Sequence, residues 1–231
     1  MSEEAFNFPT HPIANVRAKL IPFSVDHHAE EFFIQTAPHP ELYAHMPFGP
    51  FSSKAEFIFA LTTQTRNWFT YAIVDKTRPP TAIDNEGQLA GVIAFLDTSP
   101  THLSTEIGFV VIFPAFHRTH VTTNAVGLML QFALGDGGMG LRRVQWKASA
   151  ANAASIRVAE RMGFRREGLL RWHFVLRDQP GARVKVGNGQ PLPPVSPETL
   201  VGRDTVVLGL CWDDWEQAAR EIVEAAMART K

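Results

Sequence analysis

The chain has 231 residues, of which 45% are hydrophobic and 19% are charged, and its formal net charge is −1. These values predict one globular domain with a core of its own, and they exclude the class of highly charged, disordered chains. The balanced charge argues against an obligate nucleic-acid binder, because such domains carry a clear excess of Lys and Arg. Cys211 is the only cysteine, so an intramolecular disulfide is excluded and a reducing, cytoplasmic location is favoured. Because no run of about 18 apolar residues occurs, we expect no membrane partner.

The first half of the chain predicts a polar arm followed by two helices and four strands. Residues 1–12 are polar and contain two prolines, a composition typical of a surface arm. Apolar periodicity and capping residues place the elements that follow. In chain order they are a strand over 17–23, helices over 24–36 and 53–65, and strands over 69–74, 87–97 and 105–113.

The second half predicts a strand and helix unit, a long insertion and a last helix. Prolines and glycines concentrate at about 178–203, which predicts an insertion between the final two strands. The main domain is expected to cover residues 13–215. In chain order the predicted elements are a helix from 122 or 123 to 135, a strand over 143–148, a helix from Asn152 to Gly163, strands over 172–176 and 205–212, and a C-terminal helix over 213–231.

The most informative segment runs from Asn152 to Gly168, with the sequence Asn-Ala-Ala-Ser-Ile-Arg-Val-Ala-Glu-Arg-Met-Gly-Phe-Arg-Arg-Glu-Gly. Asn152 and Ser155 open a helix directly after a strand, so free N–H groups point outward from the sheet edge. Such a place accepts the amide and phosphate oxygens of a long polar ligand. On these residues alone, an ordinary N-cap, helix and glycine stop is the simpler interpretation.

Together with the segments 142–144 and 106–109, this motif resembles the GNAT N-acetyltransferase superfamily. Glu167-Gly168 and the late strand at 204–208, followed by Trp215, resemble more narrowly its RimJ/RimL-type branch. The resemblance implies an α/β fold of the α+β GNAT type. It has a central mixed, mostly antiparallel, splayed sheet of about seven strands flanked by helices.

The resemblance also implies an acyl-CoA-dependent N-acyltransferase with acetyl-CoA as co-substrate. The acceptor is then the primary amine of a small molecule or of a peptide N-terminus. The strand implied to bind the pantetheine arm matches Phe109, Val110 and Val111. The turn implied to cradle the pyrophosphate matches Arg118, Thr119, His120, Val121, Thr122 and Thr123. The later helix that begins at Asn152 adds Asn152, Ser155 and Arg157.

Two positions depart from the family pattern. Glycines are expected near His120 and Thr122, so this turn must form its cradle from residues that disfavour positive φ. Arg118 and the hydroxyls of Thr122 and Thr123 can compensate for the missing glycines through charge-assisted hydrogen bonds to phosphate. A tyrosine that protonates the leaving thiolate is replaced by Ala159, which leaves water, Ser155 or a histidine as the acid.

Glu106 is the candidate general base, because a carboxylate in a dry cleft can take the proton of an attacking ammonium. The alternative is a strand-edge carboxylate that pairs with an arginine. The acceptor pocket is expected from residues 32–50, the stretch around 100–102 and the strand at 172–173. No metal is expected, because His117 and His120 have no further ligands at suitable spacing.

Two other functions remain open. The missing glycines and tyrosine favour a catalytically idle CoA-binding or interaction module. Residues 142–185 contain eleven Lys and Arg against three acidic residues, which allows a nucleic-acid-associated acyltransferase, although we rank nucleic acid last among the partners. Either a monomer or a homodimer fits the sequence.

Overall fold

The computed structural model describes residues 10–63, 68–178, 183–194, 196–197 and 200–229. Its strands are β1 Ile13–Ala14, β2 Ala18–Pro22, β3 Phe69–Asp75, β4 Gln88–Ser99, β5 Ser104–Ile112, β6 Arg143–Ser149, β7 Arg165–Arg177 and β8 Leu200–Cys211. Its α-helices are α1 Val25–Thr36, α2 Lys54–Thr63, α3 Val121–Leu134, α4 Ala153–Arg161, α5 Trp212–Asp214 and α6 Arg220–Ala228, with a π-helical segment, Trp215–Ala219, between the last two. Short 3₁₀ helices lie at Pro40–Tyr43 and Pro114–Phe116. None of the helices in these ranges is both long and apolar enough to cross a bilayer.

All eight strands form one open sheet in the order β1-β2-β3-β4-β5-β6-β8-β7. Every neighbouring pair is antiparallel except β5 and β6, which run parallel. The predicted mixed, mostly antiparallel sheet flanked by helices is therefore confirmed. The expected count of about seven is one short, since the two-residue β1 is too brief to leave a periodic pattern.

The last two strands are longer than the sequence predicts. β7 begins at Arg165 rather than Trp172, and β8 begins at Leu200 rather than Thr205, so the described insertion ends earlier than expected. β7 is an edge strand with a mostly exposed burial pattern, and its charged first residues hide it from a search for apolar runs. The first nine residues of the predicted arm and residues 64–65 of the predicted second helix lie outside the described chain.

The sheet splits between β5 and β6. These strands pair only at Ser104–Arg143, Thr105–Val144 and Glu106–Gln145, after which each continues without the other. On its other side β5 stays paired with β4, but two residues, Phe109 and Val110, oppose one residue of β4. This is a β-bulge, and Phe109 has a φ of 47° at that point. Because a bulge bends its strand, it turns β5 away from β6 and opens a cleft at the centre of the sheet.

The core fills both sides of this split sheet. α3 is almost fully buried and packs against α6 and several strands, while α1 and α2 pack on one another. Phe32 of α1 stacks on Phe57 of α2 with ring centroids 4.4 Å apart, and Phe32 also contacts Phe109 and Phe113. The aromatic cluster thus holds the bulged strand from one side, and burial of such rings is the largest single source of stability in a core.

We predict that Gly91→Ala destabilises the protein by about 2 kcal/mol or more. Gly91 of β4 has a φ of 153°, and an added Cβ would lie 2.1 Å from the main-chain oxygen of Val111 in β5. The strand that carries the bulge would have to move. Gly168→Ala is the matched control, because a Cβ there meets nothing within 4 Å. Urea denaturation should separate the two variants, and equal midpoints would contradict the prediction.

Candidate functional site

The larger of two cavities at the split, about 780 Å³, lies between β5, the start of α3 and α4. It collects most of the residues that the sequence predicted for cofactor binding. Its lining includes Val110, Val111, Arg118, Thr119, His120, Thr122, Thr123, Asn152, Ser155 and Arg157. Two predicted residues do not line it: Val121 is fully buried in the core, and Phe109 faces the second cavity.

The turn before α3 presents positive charge and free N–H groups to the larger cavity. Arg118 is exposed and takes the left-handed conformation with a φ of 60°, whereas His120 is right-handed with a φ of −68°. The positive φ that the sequence required thus falls on Arg118. In the part of the chain that the structure describes, the N–H groups of Thr122 and Thr123 have no acceptor. A helix N-terminus with such groups stabilises phosphate oxygens.

The remaining residues of this turn fix its shape. Thr119 donates its hydroxyl to the carbonyl of Phe116 at 2.7 Å, and the His117 ring lies 2.8 Å from the carbonyl oxygen of Ile112. His120 Nε2 is buried 3.2 Å from Asp75 Oδ1, outside hydrogen-bond geometry. Both histidines therefore have structural neighbours. Arg157 and Arg161 of α4 face the same cavity, and Arg161 donates weakly to Thr123 Oγ1 at 3.4 Å.

The start of α4 places a hydroxyl at the split. Asn152 caps the helix by accepting the N–H of Ser155 at 3.1 Å, as its sequence predicts. Ser155 Oγ in turn accepts the indole N–H of Trp146 at 3.0 Å. Because this oxygen is held as an acceptor, the hydroxyl proton of Ser155 is free to be donated into the cavity. Ala159, in contrast, is fully buried and offers nothing to it.

The smaller cavity, about 200 Å³, lies on the opposite side of the split and contains Glu106. Glu106 is 8% exposed, and its Oε2 lies 2.6 Å from Nζ of Lys147 on β6. Burial raises the pKa of Glu106, and the ion pair with Lys147 opposes that shift. Sequence reasoning expected an arginine partner as the alternative to a base. The partner is a lysine from the diverging strand, so the ion pair lies inside the cleft.

The two cavities meet. Leu42, Val110, Trp146 and Asn152 line both of them, so the two cavities lie side by side at the split. Glu106 stands on one side of this junction and Ser155 on the other. A ligand in the larger cavity can thus reach a ligand in the smaller one next to a carboxylate and a hydroxyl.

A loop held from a distance forms one wall of the smaller cavity. The loop spans residues 42–48, and buried Lys185 donates its three ammonium hydrogens to the carbonyls of Tyr43, Met46 and Phe48 at 2.8–2.9 Å. Burial lowers the pKa of Lys185 to about 8. The N–H of Val186 adds a bond to Ala44 at 2.9 Å. Sequence reasoning placed Lys185 in an insertion without a role, because contacts of this range leave no local pattern.

The predicted acceptor pocket is only partly what the structure contains. The 42–48 loop does line the smaller cavity, but residues 100–102 do not, and from β7 it is Phe174 rather than Trp172 or His173 that faces it. His45, which lies within the predicted stretch 32–50, also lines this cavity, as does Arg203, which the sequence did not indicate.

One group of metal-type ligands occurs among the described residues. Cys211, Asp213 and Asp214 place ligand atoms within 4.8 Å of one another. Asp214 is already used, because it pairs with Arg165 at 2.8 Å and accepts the N–H of Cys211 at 3.3 Å. The group lies at the start of α5, away from both cavities.

A protein-family model, described as an acetyltransferase (GNAT) domain, matches residues 17–165. The chain belongs to this family. A probable GNAT-family acetyltransferase from Chromobacterium violaceum is 27% identical, with a TM-score of 0.71 and 93% of each chain covered. A RimJ from Mycobacterium smegmatis, solved with CoA-disulfide, is 16% identical, with a TM-score of 0.67 over 94% of this chain and 97% of that one.

A spermidine N-acetyltransferase from Vibrio cholerae, solved with CoA and spermine, is 12% identical, with a TM-score of 0.61 over 88% of this chain and 100% of that one. At these identities the last two structures show a shared fold alone. A comparison with curated protein sequences found no match. Family membership implies an N-acetyltransferase that uses acyl-CoA, and the acceptor has to be argued from the site.

We predict that activity is lost on the acid side with an apparent pKa above the ordinary carboxyl value of 4.5, because Glu106 must be deprotonated to act and burial raises its pKa. Glu106→Gln should lower kcat by about 100-fold or more. Lys147→Met removes the ion pair that opposes the shift, so the acid limb should move to higher pH. The profiles of kcat/KM are measured for both proteins with the same acceptor. The ionisation of that acceptor then contributes equally to both profiles, and the difference between them reports on the protein. Superimposable wild-type and Lys147→Met profiles would count against Glu106 as the base.

We also predict that Arg118→Gly weakens CoA binding by about 10-fold while stability changes by no more than about 1 kcal/mol. Glycine relieves the left-handed strain at this position but removes the charge facing the larger cavity. Arg118→Ala is the control that removes the charge and keeps the strain. Calorimetric titration with CoA and a denaturation curve for each variant measure the two effects. Undiminished CoA affinity in both variants would show that Arg118 does not bind phosphate.

Proposed function

We propose that this chain transfers an acetyl group from acetyl-CoA directly to a primary amine of a small molecule or of a peptide or protein N-terminus. The observation that carries the proposal is the split between β5 and β6. The split places a cavity suited to binding phosphate beside a second cavity, and Val110, Trp146 and Asn152 line both. A direct transfer needs two ligands to meet inside the protein, and this junction provides the place.

The residues of the larger cavity fit an extended, phosphorylated co-substrate. Arg118, Arg157 and the N–H groups of Thr122 and Thr123 would hold phosphate oxygens at the cavity's helix end. Beyond Glu106 the edge of β5 has no strand beside it on the β6 side, so main-chain groups near Val110 and Val111 can bind a pantetheine arm. The thioester of the bound co-substrate supplies the activated acetyl group.

Glu106 and Ser155 are the groups we propose for proton transfer. Glu106 takes a proton from the acceptor ammonium, and the freed nitrogen forms a bond to the acetyl carbon as the carbon–sulfur bond breaks. The acylated nitrogen then loses its second proton to water, and Glu106 returns its proton to solvent. The Ser155 hydroxyl, held by Trp146, gives a proton to the departing sulfur and regains one from that water. A thiol is a tolerable leaving group because its pKa is about 8.5, so the missing tyrosine need not abolish turnover.

We also propose a narrower family branch, domain bounds and a location for this chain. The segment around Glu167-Gly168 favours the RimJ/RimL-type branch, and Glu167 there forms a two-pronged ion pair with Arg143 at 2.7 and 2.5 Å. We propose a main domain over 13–215 with an N-terminal arm over 1–12 and a C-terminal helix over 213–231. The cytoplasmic location, the monomer or homodimer and the lack of a metal stay predictions.

The idle-module alternative is favoured by buried Ala159 and by the turn without glycine. The nucleic-acid alternative is weakened by ion pairing, because several basic residues of 142–185 are already matched to carboxylates. These pairs are Arg143 with Glu167, Lys147 with Glu106, Arg165 with Asp214 and Arg166 with Glu160.

Thiol release from acetyl-CoA over a panel of amines and peptide N-termini tests the proposed activity. We expect the wild type to release thiol only when an acceptor is present, and Glu106→Gln to bind CoA with wild-type affinity while losing turnover. CoA binding by the wild type without turnover on any acceptor would support the idle module instead.

A further inference from the structure

The smaller cavity carries two charged side chains that form no ion pair with another described side chain. Glu106 and Lys147 form a pair with each other. Arg203 of β8 and Asp97 of β4 also line the cavity, and in the ranges that the structure describes neither has an ion-pair partner. Burial, and then the nearby positive charge of Arg203, lowers the pKa of His45, which favours the neutral form of this imidazole. The cavity thus contains one cation, Arg203, and one anion, Asp97, that are not in ion pairs.

Arg203 is the more telling of the two. It is only 6% exposed, and its Nη1 donates to the carbonyl of His45 at 3.0 Å. Its Cζ lies 5.1 Å from the ring centroid of Phe174, while Nε is buried without an acceptor. A buried guanidinium without a carboxylate is costly, and its planar fork matches a carboxylate in two-pronged geometry. Glu106 attracts Arg203 from beyond ion-pair distance, but no described carboxylate is hydrogen-bonded to the guanidinium, and a ligand can provide one.

Asp97 completes the arrangement from the opposite charge. It is exposed at the cavity rim and has a φ of 48°, a left-handed conformation that is unfavourable for most residues other than glycine. The walls between these charges are apolar and include Phe48, Trp68, Leu96, Ile107 and Phe109. A ligand with an apolar body and charged groups of both signs matches this cavity.

We propose that the acceptor is a zwitterion, a primary amine that also carries a carboxylate, as in an amino acid. The carboxylate binds the guanidinium of Arg203, and the ammonium lies toward Asp97 and Glu106 before Glu106 takes its proton. This inference rests on the proposed function. A polyamine would place a second cation toward Arg203, and like charges in a buried site oppose binding, so spermidine should be a poor acceptor.

Matched acceptors test the inference. L-Phenylalanine is compared with phenethylamine, and 5-aminopentanoate with butylamine, with spermidine as the polycation. We expect kcat/KM for the better carboxylate-bearing amine to exceed that of its partner by about 10-fold or more. Equal values within both pairs, or a preference for spermidine, would overturn the proposal.

Variants of Arg203 separate charge recognition from support of the loop. Arg203→Gln keeps a donor for the carbonyl of His45 and loses the charge, so the ratio within a pair should fall toward one. Arg203→Lys keeps the charge and should retain part of the ratio. If Arg203 only holds the 42–48 loop, both members of a pair lose activity together and the ratio stays unchanged, which would refute carboxylate recognition.

A binding assay keeps this result distinct from failure of the proposed activity. Hydrocinnamate has the carboxylate and the ring but no amine, so it cannot be acetylated. Titrated into CoA-saturated protein and followed by tryptophan fluorescence, it should bind the wild type about 10-fold more tightly than Arg203→Gln, and 3-phenylpropanamide should show no such difference. Loss of thiol release with every amine would end the proposed activity, whereas hydrocinnamate binding that ignores Arg203 would end the carboxylate site.

Discussion

The divergence of two parallel strands after three paired residues governs the architecture of this protein. A parallel pair buried in a sheet is normally laddered along its length, since unpaired main-chain groups in a core are unfavourable. Here the bulge at Phe109 and Val110 bends β5 while β4 follows it, and β6 follows β8 instead. The exposed edges left between them are the site. Stability is thus given up in the middle of the sheet, and the aromatic cluster of α1 and α2 supports the strand that bends.

The larger and the smaller cavity differ in their electrostatics because different elements form them. On one side the start of α3 provides main-chain N–H groups and α4 provides arginines, an environment suited to phosphate. On the other side, four strands carry charged side chains of both signs, and the walls between them are apolar. In the proposed function, this asymmetry directs the phosphorylated co-substrate to one cavity and the acceptor to the other.

Local sequence predicts the parts of this structure that local interactions create. The Asn152 cap, the glycine stop at Gly163 and the order of strands and helices follow from spacing and capping, and the family resemblance supplied the split. Glu106 and the 42–48 loop were also predicted near the acceptor, but the long-range contacts around the smaller cavity could not be found this way. Lys185 and Arg203 act on carbonyls of residues 43–48, more than a hundred positions earlier in the chain. The left-handed residue of the α3 turn was expected near a missing glycine and lies instead at Arg118.

The contacts of Lys185 tie two stretches that are remote in sequence into one piece of wall. Its ammonium donates all three hydrogens to carbonyls of the loop, so without the loop this buried charge would have no hydrogen-bond acceptor among the described residues. An exchange of the 42–48 loop between relatives would therefore have to carry the segment around residue 185 with it. A change of this pocket during evolution would therefore require matched substitutions in two segments that are distant in sequence. This requirement restricts how readily the enzyme can acquire new acceptors.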